Sequence, residues 1–153
     1  MGKQAHVNVS ISTAEAMPTN ASIRILIGDT DLSLFHFTRV VLAIIAVHQV
    51  DYAPTGEKVI TLAKQFAPDL ILLDDVPPAI DSMRVIQQLR ADPSTTHIPI
   101  VAYMALANHT PRARAIIALC DGHLTKPCPV EDLCAVIQDC VPRYHPPPLL
   151  RRM

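Results

Sequence analysis

The chain has 153 residues, half of them apolar and 18% charged, which is enough apolar material to bury one core of ordinary domain size and too much for a disordered chain. Thirteen Lys and Arg against fourteen Asp and Glu leave a formal net charge of -1, so no basic excess is present to hold a nucleic acid through its phosphates. The longest apolar run, VVLAIIAV at residues 40–47, is far short of the roughly twenty residues that span a bilayer, so membrane insertion is not expected.

Residues 1–22 are polar and small and predict a flexible leader, although Val7, Val9 and Ile11 alternate with polar residues as a short strand would. No basic stretch followed by an apolar one marks a secretory signal. Gly2 is followed by His6 where a myristoylation pattern wants Ser or Thr. Four cysteines, Cys120, Cys128, Cys134 and Cys140, form no C-x-x-C pair, which predicts free thiols and a cytoplasmic location.

From residue 23 a short β-branched run reads as a buried strand ending at Gly28. Asp29, Thr30 and Asp31 supply loop and N-cap chemistry for a helix over 32–48. A weaker strand at 49–53, a turn at Pro54 and Gly56, and an amphipathic helix over 57–66 follow. Residues 70–73 (LILL) form the most apolar strand, closed by Asp74 and Asp75 and a rigid Val76-Pro77-Pro78 loop. A helix from near Asp81 to Asp92, a strand at 98–103, a helix over 111–119, a short strand around His123 and Leu124, and a helix over 131–140 complete the pattern. Pro146, Pro147 and Pro148 stop any further helix. The domain plan is a leader (1–22), a folded domain (23–141) and a Pro-rich tail (142–153).

Five strands alternating with five helices predict an α/β fold, with a parallel sheet covered on both faces. Ligands of such sheets bind beyond the carboxyl ends of the strands. The residues standing there are Asp29, Thr30 and Asp31, then Asp74 and Asp75, then Met104, then Thr125, Lys126 and Pro127. Carboxylate oxygens suit Mg²⁺, an Asp carboxylate can carry a phosphoryl group, and a lysine beside them would offset charge on that group. Each acid alone is equally read as ordinary loop capping; the signal lies in the set.

At these residues the chain resembles the receiver domain of two-component response regulators, over about residues 23–141. PDLILLDDVPPAIDS is similar to the family's phosphoacceptor strand and loop, RVIQQLRADPSTTHIPIVAYMA to its third helix and fourth strand, and CDGHLTKPCPVEDL to its Ala-Asp-Gly-Tyr-Leu-Thr-Lys-Pro stretch. The resemblance implies a flavodoxin-like, doubly wound five-stranded sheet in the order 2-1-3-4-5. It implies Asp74 as phosphoacceptor, Lys126 as the phosphate-contacting lysine and a cis bond before Pro127. It implies Mg²⁺ held by Asp29, Asp74 and the Val76 backbone carbonyl. A sensor histidine kinase or phosphotransfer protein would be the phosphoryl donor, and a downstream protein the target.

The departures from the family are specific. Thr30 stands where the second metal-binding acid usually does, with Asp31 one residue late, which predicts weak or absent Mg²⁺ binding. Met104 replaces the switch hydroxyl, His123 the switch aromatic, and Gly28 an aliphatic residue. Two readings follow: a domain phosphorylated on Asp74, or a phosphorylation-independent pseudo-receiver that works as a protein-interaction module. No multi-turnover enzyme is expected beyond self-phosphorylation and self-dephosphorylation at Asp74, since neither Walker nor dinucleotide glycine spacing occurs.

In the first helix, Leu34, Phe37, Val41, Ile44 and Ile45 form a stripe expected to face the sheet. Phe35 and Leu42 then point away, as a partner or self-association surface or as scattered exposed apolar residues. Arg112, Arg114, Glu131 and Asp132 lie on a face that receivers use to form homodimers, or on an ordinary solvated one. The tail is a docking peptide or an unstructured end, too short for a DNA-binding output domain, so no direct DNA binding is expected.

Overall fold

A computed structural model describes residues 20, 22–105, 110–148 and 150; the leader strand considered at residues 7–11 lies outside them. Strands β1 (Arg24–Gly28), β2 (Gln49–Ala53), β3 (Leu70–Leu73), β4 (Ile100–Ala105) and β5 (Gly122–Lys126) alternate with helices α1 (Leu32–Ile44), α2 (Gly56–Phe66), α3 (Ser82–Ala91), α4 (Pro111–Leu119) and α5 (Val130–Cys140). Every strand pairing is parallel, in the order β2-β1-β3-β4-β5. This is the flavodoxin-like arrangement that the sequence predicts.

Strand alternation sorts the core into two layers. Leu26, Ile71, Leu73 and Ala102 face one layer, closed by Val59 of α2, Val85 and Leu89 of α3 and Ile116 of α4. Ile25, Ile27, Leu70, Leu72 and Tyr103 face the other, closed by α1 and α5. Side-chain oxygens of Asp31, Thr55, Asp81 and Thr110 accept from the backbone N–H three residues on and so start α1, α2, α3 and α4. Gly28 is required by packing, because a Cβ there would lie 2.8 Å from a Val59 methyl and 2.9 Å from a Leu73 methyl.

The expected facing of α1 holds for Ile45, which is buried, and for Val41, which packs partly against the core, but not for Phe37 and Ile44. Phe35, Thr38, Leu42 and Ile45 are buried against the sheet, while Phe37 is 60% exposed, Val40 57% and Ile44 66%. Phe35 and Leu42 are therefore core residues, not a partner surface. Both sides of this helix are apolar, and the buried side contains a polar residue, Thr38, whose Oγ1 lies 3.4 Å from the Tyr103 hydroxyl. The helix also ends at Ile44 rather than 48. Ala46 adopts a left-handed φ of 69°, its N–H donates to Ala43 O, and the Val47 N–H donates to Leu42 O at 2.8 Å. This is a Schellman end built on alanine in place of glycine. Strand β4 lies two residues later than expected, beginning after Pro99, which has no N–H to give a ladder.

All four cysteines are free thiols, and the Lys126–Pro127 bond is cis, as is Pro77–Pro78. Among the described residues no helix is long and apolar enough to cross a membrane. The segment after α5 folds back on the domain. Tyr144 is buried, and its hydroxyl donates to Ile45 O at 2.8 Å. Arg143 pairs with Asp69 at 2.6 Å. Asn20 Nδ2 donates to His145 O at 2.7 Å, and the His145 N–H donates to Asn20 Oδ1 at 2.9 Å.

Candidate functional site

The sheet ladder itself places the acids. The Asp29 N–H donates to Ala53 O and the Asp74 N–H to Gly28 O, so each carboxylate leaves the carboxyl edge of the sheet at a fixed point. Lys126 ends β5 and reaches across to both. Its Nζ donates to Asp74 Oδ2 at 2.9 Å and to Asp29 Oδ2, with side chains 6% exposed for Lys126, 3% for Asp29 and 17% for Asp74. The remaining carboxylate oxygens accept backbone N–H groups, Asp29 Oδ1 from Asp31 at 2.9 Å and Asp74 Oδ1 from Asp75 at 2.7 Å. All four oxygens thus have donors.

Burial raises the Asp74 pKa above the ordinary carboxylate range, although Lys126 opposes it by charge and hydrogen bond. Burial works against the Lys126 ammonium too, but the bond it donates to Asp29 and the charge of Asp74 outweigh it and hold the lysine pKa above its usual value. Below the ammonium lies the Tyr103 ring, its centroid 4.9 Å from Nζ.

The other sequence-predicted positions are not drawn into this cluster. Thr30 is exposed. Asp31 is exposed as well, and its Oδ1 caps α1 by accepting from Leu34 N–H at 3.0 Å. The Val76 carbonyl accepts from Ile80 N–H at 2.9 Å. Met104 is buried in the layer under α2, α3 and α4, opposite Thr125 in the ladder, while His123 is exposed. What spans the space between the two acids is the lysine itself. Among the described residues no three His, Cys, Asp or Glu side chains are grouped to hold a metal. The two carboxylates still fit a hard cation that keeps most of its waters, provided that Lys126 leaves Asp29.

Two further residues, Asp75 from the strand-end set and Arg112, meet beside the cluster. Asp75 accepts from the Ser82 N–H and hydroxyl at 3.1 and 2.9 Å. It also accepts a two-pronged pair from Arg112, Nε to Oδ2 at 2.7 Å and Nη2 to Oδ1 at 2.9 Å. Burial would raise the Asp75 pKa, but these bonds outweigh it and hold the carboxyl below its ordinary range. Hydrogen bonds with Asp75 and Asp81 in turn push the Arg112 pKa up. Nothing in the spacing of Arg112 separates it from an ordinary surface arginine.

The chain is similar to known response regulators and to solved receiver domains. The chain is 36% identical over 115 residues to the DNA-binding dual master transcriptional regulator RpaA of Synechocystis sp., covering 75% of this chain and 47% of that protein. It is 35% identical over 80 residues to the response regulator PleD of Caulobacter vibrioides, covering 52% of this chain and 18% of that protein. The chain thus spans about half the length of the first of these relatives and far less of the second. Among solved structures, the receiver domain of the sensor histidine kinase PA1611 from Pseudomonas aeruginosa PAO1, described with a magnesium ion in its active site cleft, superposes with a TM-score of 0.72 at 22% identity. That match covers 80% of this chain and 99% of that one. The family model for the response regulator receiver domain matches residues 25–138, a span holding Asp29, Asp74 and Lys126, and the chain belongs to the response regulator receiver domain family.

Proposed function

We propose that Asp74 accepts a phosphoryl group from a histidine kinase or phosphotransfer protein, and that the domain signals through protein–protein contacts. The observation carrying this reading is the Asp74 carboxylate at the mouth of the sheet, the least buried member of its cluster, with the Lys126 ammonium 2.9 Å away. An Asp74 oxygen attacks the phosphorus of the donor's phosphohistidine, the P–O bond forms as the P–N bond breaks, and the imidazole keeps the electron pair. Lys126 holds Asp74 in place and sets a positive charge beside the incoming phosphoryl oxygens. Asp29, Asp74 and the Val76 carbonyl would hold Mg²⁺, whose chemistry when bound is to offset charge on those oxygens. The magnesium in the PA1611 receiver cleft supports this choice of metal.

Incubation with acetyl phosphate and Mg²⁺ is expected to add one phosphoryl mass to the full chain and none to Asp74→Asn, read by intact-protein mass spectrometry. Labelling that persists in Asp74→Asn rejects the assignment. No labelling of either favours the second reading, a phosphorylation-independent interaction module, which rests on Lys126 already bridging one oxygen of each carboxylate.

Phe37, Val40 and Ile44, exposed along one side of α1, are the surface we assign to the phosphoryl donor's helices. Phe37→Asp combined with Ile44→Asp should lower phosphotransfer from a protein donor about tenfold or more while leaving acetyl phosphate labelling unchanged. Equal transfer by both forms would remove this surface from the proposal.

A further inference from the structure

Asp75, one residue beyond Asp74, is the hub of a charged clasp that the phosphoryl chemistry does not use. Arg112 lies in the first turn of α4, behind the Thr110 cap. Its guanidinium grips Asp75 side-on, and its Nη2 also reaches Asp81 Oδ1 at 3.1 Å. That same Asp81 oxygen caps α3. One side chain therefore ties together the end of β3, the start of α3 and the start of α4. Among the described residues the clasp reaches the Asp74 carboxylate through the Asp75 N–H, which donates to Asp74 Oδ1 at 2.7 Å. Met104, at the end of β4, brings no hydroxyl that could make such a link.

We propose that Arg112 is a positioning residue that latches the first turn of α4 to the Asp74 loop and carries changes at Asp74 to that helix. The argument is geometric. A planar guanidinium bound side-on to a carboxylate tolerates little relative displacement, unlike a single-point ammonium contact. Whatever takes Asp74 Oδ1 from the Asp75 N–H shifts the Asp75 backbone, and the gripped guanidinium must follow or let go. Either event is felt at α4. The latch operates whether or not Asp74 is phosphorylated, so it stands apart from the phosphoacceptor assignment.

The test uses the full chain and Asp74→Ala, which deletes the acceptor of the Asp75 N–H without any phosphoryl chemistry. In two-dimensional ¹H–¹⁵N spectra, Asp74→Ala should shift the Arg112 Nε–Hε signal and the amides of Ala113 and Ile116. In an Arg112→Gln background, the shifts at Ala113 and Ile116 should fall by at least half, and Arg112→Lys should restore only a small part of them. Dispersed spectra of each variant confirm folding, which the exposed position of Arg112 favours. Equal responses at Ala113 and Ile116 with and without the guanidinium, or no response in the unsubstituted background, would overturn the latch.

Discussion

Replacing Lys126 by methionine should cost the fold about 3 kcal/mol at neutral pH, measured by guanidinium chloride denaturation. Methionine keeps an apolar stem over the Tyr103 ring and removes only the charge. Asp29 and Asp74 then face each other, largely buried, with no cation between them. The cost should depend on pH in a definite direction. Because the Asp74 pKa is raised in the folded chain, protonation of Asp74 favours folding; that contribution is complete below the ordinary carboxylate range and is lost as pH rises through the raised value. Removing Lys126 raises the folded pKa further, so the deficit of Lys126→Met should shrink as the pH falls from 7 toward the carboxylate range. Adding Asp74→Asn should recover most of the loss at pH 7. A deficit of the same size at pH 7 and pH 5, or one below about 1 kcal/mol, would contradict the electrostatic account.

The second large effect lies at the opposite edge of the sheet. Tyr144→Ala should destabilise the domain by about 3 to 4 kcal/mol, because it empties a buried aromatic site between α1 and α5. Tyr144→Phe isolates the hydroxyl, which donates to Ile45 O, and should cost about 1 kcal/mol. Deleting everything after Val141 should cost at least as much as Tyr144→Ala, since Arg143–Asp69 and the Asn20–His145 pair go with the ring. Thermal and chemical denaturation of the three variants read this directly. An alanine variant within about 1 kcal/mol of the parent would mean that the ring contributes no packing.

The strands and the cluster of Asp29, Asp74 and Lys126 were legible because a buried parallel strand is a short apolar run with a polar residue at its carboxyl end. The phase of α1 was not legible. With apolar residues on both sides, the hydrophobic stripe has two solutions, and Thr38 in the core hides the true one, since its partner Tyr103 lies 65 residues away. The end of α1 was hidden for a similar reason: the left-handed position is Ala46, where glycine would have marked a stop. The grip of Arg112 on Asp75 crosses 37 residues and leaves no trace in local spacing. Tyr144, next to His145 and three prolines, reads as loop by its neighbours and is core only because of the groove it fills.

The reciprocal pair between Asn20 and His145 sets two residues 125 positions apart side by side, one just before β1 and one just after α5. A few linking residues would suffice to join Asn20 to His145 directly, so a chain trimmed to those two residues could be reopened in a surface turn and circularly permuted without disturbing the acids at the far pole. By the same geometry, a domain joined directly at Asn20 or at His145 would sit on the pole remote from Asp74 and leave its approach from solvent clear.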